Sequence, residues 1–168
     1  MNHKQHIAHA PDTLRCAVIT VSDTRTEETD KSGQRIISLL QEQGHEVHLY
    51  KIIKDDGNSI EETVLEAVGQ HDIHAVIING GTGIAKRDVT IETVKPLLEK
   101  EIVGFGELFR MLSYTEDIGA AAMLSRAIAG VRNDKIIFSL PGSTGAVTLG
   151  MNKLILPELR HIISEIHK

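Results

Sequence analysis

Apolar and polar positions run along this chain in blocks that predict strands alternating with helices. Arg15 to Val21 is rich in β-branched residues and nearly continuously apolar, as a strand buried on both faces requires. A polar stretch from Ser22 to Lys31 follows, with Thr29 or Asp30 placed to cap a helix whose buried face is Ile36, Ile37, Leu39 and Leu40 and which Gly44 ends. Val47 to Ile53 predicts a second strand, closed by the turn Lys54-Asp55-Asp56-Gly57. Asn58 with Glu61, and Ser59 with Glu62, then offer capping-box spacing for a helix burying Ile60, Val64, Ala67 and Val68. Ala75 to Asn79 is a third strand, and Thr90 is a candidate cap for a short helix over Ile91 to Val94 that Pro96 limits. Phe105, Leu108, Phe109 and Leu112 form a helical stripe, and Ile118 to Arg126 is helix-like but irregular. Asn133-Asp134 turns into a last strand, Lys135 to Leu140. Ser143 can cap the helix after it, and Pro157 restarts or kinks a C-terminal helix carrying Leu159, Ile163 and Ile166.

Strands alternating with helices predict an α/β fold, a three-layer αβα sandwich around a largely parallel sheet. Residues 1–13 are polar and aperiodic and are expected to form a flexible N-terminal tail; residues 14–168 read as a single domain. The loops beginning at Ser22, Asp55, Gly80 and Pro141 all follow strands, so they are expected to converge on one rim, the edge where such sheets bind ligands.

Composition narrows the chemistry. With 3% aromatic residues, no Trp and a formal charge of −5, the chain has little stacking surface or field for nucleic acid. One cysteine, Cys16, allows no intrachain disulfide and no thiolate zinc site, which fits a cytoplasmic protein. No apolar run approaches the ~20 residues needed to span a membrane. His3, His6 and His9 in the tail admit a metal-binding reading beside that of a frayed terminus, whereas His71 and His74 lack companions at metal-site spacing.

Candidate chemistry concentrates where the third strand ends. Gly80, Gly81 and Gly83 with Thr82 form a loop whose amides can turn toward an anion, and Lys86, Arg87 and Asp88 follow at once. It is not a P-loop, because Ala85 and Arg87 stand where Gly and Ser/Thr are needed, and Lys86 breaks a dinucleotide fingerprint. A tight turn and a solvated charge pair remain the plain alternatives. Pro141-Gly142-Ser143 is a second such loop opening a helix, whose positive end favours an anion.

Six ordered blocks carry a more specific signal: Thr20-Val21-Ser22-Asp23, Asn79-Gly80-Gly81-Thr82-Gly83, Arg87-Asp88-Val89-Thr90, Gly104-Phe105-Gly106-Glu107, Leu124-Ser125-Arg126 and Leu140-Pro141-Gly142-Ser143. Together they resemble the molybdenum-cofactor biosynthesis proteins of the MoaB/MogA family, nearest the MoaB branch, over about residues 15–166. The resemblance implies a trimer or a dimer of trimers that adenylylates molybdopterin, using Mg²⁺ and ATP and releasing pyrophosphate. It assigns the two important acids, catalytic and Mg²⁺-binding, to Asp55 and Asp88. Asp56 competes with Asp55, and Lys54 stands where the family often has Pro. Ser22, Asp23, Gly80, Gly81, Thr82, Gly83, Lys86, Arg87, Gly142 and Ser143 are expected to bind substrate. The resemblance also admits other pathway proteins as partners, and a non-catalytic molybdopterin-binding or scaffolding role.

Overall fold

The computed structural model describes residues 10–168, and His3, His6 and His9 lie outside them. The chain forms β1 (Arg15–Val21), α1 (Lys31–Glu42), β2 (Glu46–Ile53), α2 (Gly57–Gly69), β3 (Ala75–Asn79) and the short α3 (Thr90–Val94). It continues through β4 (Lys100–Glu101), α4 (Val103–Ser113), two irregular helical turns over Tyr114–Ile118 and Gly119–Leu124, β5 (Ile128–Arg132) and β6 (Lys135–Leu140). It ends in α5 (Thr144–Gly150), a wide turn at Met151–Ile155 and α6 (Leu156–Ile166).

The sheet has the order β2-β1-β3-β6-β5-β4. The first four strands in that order pair in parallel, whereas β5 and β4 extend the sheet antiparallel. The expected α/β sandwich around a largely parallel sheet is present, with antiparallel pairing confined to one edge. A tight hairpin reverses the chain between β5 and β6, with Asn133 at φ 54° and Asp134 at φ 60°.

Period-2 alternation within the buried strands divides two cores. Cys16, Val18, Ile77, Ile136 and Phe138 face α1, α4, α5 and α6, joined there by Ile36, Leu40, Phe109, Val147, Leu159 and Ile163. Ala17, Ile19, Val76, Ile78 and Ile137 face Ile60, Val64 and Val68 of α2 and Val94 of α3. Each fully buried aliphatic side chain contributes about 1.5–3 kcal/mol, so the central strands hold the rim rigidly. Cys16 belongs to this core, where burial pushes its thiol up to about 12 and leaves it inert.

Two caps differ from the expected ones. Helix α2 is capped by Asp56, whose carboxylate accepts the Ser59 amide at 3.3 Å, so neither capping box forms. Thr90 is not a cap: it lies inside the first turn of α3, and its hydroxyl is drawn away to donate to the Gly80 carbonyl at 3.0 Å. Asp30 and Ser143 do cap α1 and α5. At the chain's beginning, Arg160 holds the Pro11 carbonyl and the Asp12 carboxylate at 3.2 and 2.9 Å.

Candidate functional site

From β1 the chain crosses to β2 on one side and to β3 on the other, which opens a crevice between the carboxyl ends of β1 and β3. A cleft of about 400 Å³ lies there. The loops after β1, β2, β3 and β6 all line it, as the rim argument requires.

Its floor is the glycine loop. Gly80 and Gly81 have φ of +97° and +69°, and a Cβ on either would run into the Val21 carbonyl or the Thr90 hydroxyl. The acceptors of this loop are occupied. Gly80 and Gly81 carbonyls receive the Thr90 hydroxyl and amide, each at 3.0 Å. Arg126 donates to the Thr82 and Gly83 carbonyls at 2.9 and 2.7 Å and is itself held by Glu92 at 2.7 Å, which keeps the Glu92 carboxyl below its usual range. The amides of Gly81, Thr82 and Gly83 donate to no acceptor among the described residues. A loop whose carbonyls are tied back and whose N–H groups are open is built for an anion.

Three carboxylates border that floor. Asp23 accepts the Asp55 amide at 3.0 Å and so fixes the Asp55 turn across from the glycines. Asp88 accepts the Ala85 amide at 3.0 Å through Oδ2, closing the turn behind Gly83. Asp55 is pushed above the usual carboxylate range, first by burial and then by the charges of Asp23 and Asp88, with Arg87 opposing. Asp56 points elsewhere, held by Ser59 below the usual range, so Asp55 is the acid of this turn that faces the cleft.

No group of three or more His, Cys, Asp or Glu side chains among the described residues is close enough to hold a metal unaided. A magnesium ion needs less, one or two carboxylates completed by phosphate oxygens and water. Asp55 and Asp88 are hard oxygen donors whose mutual repulsion a divalent cation would relieve, so the residues present fit that ion.

Of the residues expected to bind substrate, Ser22, Asp23, Gly80, Gly81, Thr82, Gly83, Arg87 and Gly142 line the cleft together with Asp55 and Asp88. Lys86 and Ser143 do not: Lys86 is exposed outside the cleft, and Ser143 spends its hydroxyl accepting the Ala146 amide at 3.1 Å. Sequence reasoning passed over Arg25, which lines the cleft, and Arg126, which braces its floor. Asp30, read only as a cap, and Asn79 and Thr20, named only within family-like blocks, lie buried beneath. The readable signal for the last two was a polar residue at the end of an otherwise apolar strand.

The chain is similar to known proteins along nearly its whole length. The family described as "Probable molybdopterin binding domain" matches residues 17–161. Molybdenum cofactor biosynthesis protein B of Bacillus cereus is 61% identical over 168 residues, covering 100% of this chain and 99% of that protein. A crystal structure of a molybdenum cofactor biosynthesis protein B superposes with a TM-score of 0.92 at 63% identity, covering 95% of this chain and 99% of that one. The tungsten cofactor synthesizing protein MoaB of Pyrococcus furiosus does so with a TM-score of 0.83 at 42% identity, covering 95% and 100%.

Proposed function

The chain belongs to the molybdenum cofactor biosynthesis protein B family, and on that footing we propose that it adenylylates molybdopterin with ATP and Mg²⁺. The observation that carries the reading is the pairing of open amides at Gly81 to Gly83 with Asp55 and Asp88 at the rim of one cleft. In this reaction a terminal phosphate oxygen of molybdopterin attacks the α-phosphorus of ATP. A new P–O bond forms, the bond to the β-phosphate breaks, and pyrophosphate leaves. Two polyanions must be brought together in line, so positioning and charge neutralisation do most of the work.

The glycine amides would hold a phosphate, and Arg87, exposed at the cleft edge, would offset its charge. Asp55 and Asp88 would hold the magnesium ion. Bound there, Mg²⁺ supplies charge neutralisation on the phosphate oxygens. Ser22 and Gly142 would wall the cleft beside the reacting groups, and Asp23 would keep Asp55 in place through its amide.

The same reading includes self-association, as a trimer or a dimer of trimers in the cytoplasm. Val103, Leu108, Met111, Tyr114, Ile118, Met123 and Leu124 leave a run of large apolar side chains exposed on α4 and the turns after it. Monomers rarely expose large contiguous apolar patches, and Met111, Tyr114 and Met123 share one surface depression. Among the described residues no helix is long and apolar enough to cross a membrane.

Pyrophosphate release from Mg-ATP and molybdopterin, compared with Asp88→Asn, tests the activity. One observation favours a second reading, a non-catalytic molybdopterin-binding protein: Asp88 already spends one carboxylate oxygen on the Ala85 amide. That reading predicts molybdopterin binding indifferent to Mg-ATP, and calorimetric coupling or competition between the two ligands counts against it.

A further inference from the structure

We propose that Arg25 is a positioning residue, the donor end of a closed ring of side chains that locks the loops after β1, β3 and β6 to one another beneath the cleft. The Arg25 guanidinium donates through one nitrogen to the Ser32 hydroxyl at 2.6 Å and to Asp30 Oδ1 at 3.4 Å. Ser32 donates to the Asn79 side-chain carbonyl at 2.7 Å, the Asn79 amide nitrogen donates to the Thr20 hydroxyl at 2.9 Å, and Thr20 donates to Asp30 Oδ2 at 2.7 Å. The ring closes on the carboxylate where it began.

Its direction is fixed by its ends. A guanidinium only donates and an ionised carboxylate only accepts, so Ser32, Asn79 and Thr20 are each left with one way to pass the hydrogen bond along. Asp30 also receives the Gly33 amide at 3.1 Å and the Tyr50 hydroxyl. Thr20, Asp30 and Asn79 are fully buried and Ser32 is 1% exposed, whereas 31% of the Arg25 side chain remains accessible, at the cleft. A polar ring this deep is costly unless complete, and every member here is satisfied.

The ring has one arm into the cleft wall. The second terminal nitrogen of Arg25 donates to the Gly142 carbonyl at 2.8 Å. A Cβ on Gly142 would come within 3.0 Å of the Gly80 α-carbon, so the two loops lie backbone against backbone. Arg25 therefore sets the separation of the Gly142 wall from the Gly80 floor while Asn79, the residue before Gly80, is held by the same ring. Lysine keeps the charge but cannot span Ser32, Asp30 and Gly142 with one planar fork.

The test compares the full chain with Arg25→Lys and with Ser32→Ala, which cuts the ring at a side chain outside the cleft lining. Amide hydrogen exchange of the ligand-free protein comes first. In both variants the amide of Gly80, which donates to the Leu140 carbonyl, and those of Ala146 and Val147, which donate to Ser143, should exchange faster, by roughly tenfold in Arg25→Lys, while those of α2 keep their wild-type rates. Unchanged exchange in those loops, or faster exchange throughout the molecule, overturns the proposal, the latter because it marks a merely structural residue. Calorimetry with molybdopterin is the second arm and rests on the functional reading above: Arg25→Lys should bind roughly tenfold more weakly. Wild-type affinity in that variant overturns the proposal. Altered loop exchange in a chain whose wild type binds no molybdopterin upholds the ring and removes the functional reading instead.

Discussion

Asp55 shows how one residue can be set against the stability of its own fold. Burial and the charges of Asp23 and Asp88 raise its folded value above the ordinary 3.8, so the folded state holds the proton more tightly than the unfolded chain. Its contribution to stability is complete below about that ordinary value and is lost as pH rises through the raised one. At neutral pH the ionised group is a destabilising element. Asp55→Asn should therefore raise the melting midpoint of the ligand-free protein at pH 7 by roughly 2 °C, while abolishing any stabilisation by Mg-ATP. Calorimetric scans of both proteins with and without Mg-ATP check this, and a lowered midpoint in the ligand-free variant contradicts it.

Among the elements, β1 is held at its start by two histidines from the approaches to β2 and β3. The Leu14 amide donates to His45 Nδ1 at 3.1 Å and the Arg15 amide to His74 Nδ1 at 2.9 Å. Both imidazoles must be neutral to accept, and burial, with nearby Arg160 for His45 and Arg15 for His74, lowers both below 6.5. Their contribution is present above 6.5 and is lost as pH falls from there through the folded values. His48 behaves oppositely: it bridges Asp72 and Glu46 at 2.8 and 2.7 Å and is raised above 6.5, so its contribution is present below 6.5 and lost as pH climbs through its folded value. An NMR titration should resolve His48 above and His45 and His74 below 6.5, and the reverse order contradicts these contacts. The caps offer a second check. Asp56→Ala should lower the midpoint by roughly 2–4 °C, whereas Asn58→Ala should leave it within about 2 °C, because no capping box forms.

What could be read from the chain follows from the range of each signal. The strands at Arg15, Ala75 and Lys135 and the convergence of their loops were legible because burial on both faces writes a local apolar run, whereas the edge strand at Val47 was marked by its apolar, β-branched content and the turn that closes it. The strands β4 and β5 were not, since β4 has two residues and β5 is Ile-Ala-Gly-Val-Arg, too short and too small-sided to mark a period. The glycine loop stood out because its chemistry lies in consecutive residues, and Asp55 and Asp88 were assigned through the family resemblance. Arg25 did not stand out, because its partner Gly142 lies 117 residues away and meets it only through the strand order β1-β3-β6, and Asp30 was legible as a cap but not as the acceptor of Thr20 and Tyr50. Thr90 misled for a related reason: its cap-like position is local, but its hydroxyl answers to Gly80.

At the scale of the whole molecule, the apolar run on α4 and the turns after it should be covered by further copies of the chain. Light scattering is expected to give a mass three or six times the 18.4 kDa of one chain, and Leu108→Glu with Met111→Glu should reduce it to that of one. A monomeric wild type contradicts this. Adenylylation is proposed for the cleft, where open glycine amides lie beside the carboxylates of Asp55 and Asp88. Its most direct test is pyrophosphate release by the purified protein supplied with molybdopterin and Mg-ATP. Wild-type protein should release pyrophosphate together with adenylyl-molybdopterin in equal amount, with a loss of about 100-fold or more in Asp88→Asn. Release no faster in the wild type than in Asp88→Asn would contradict it.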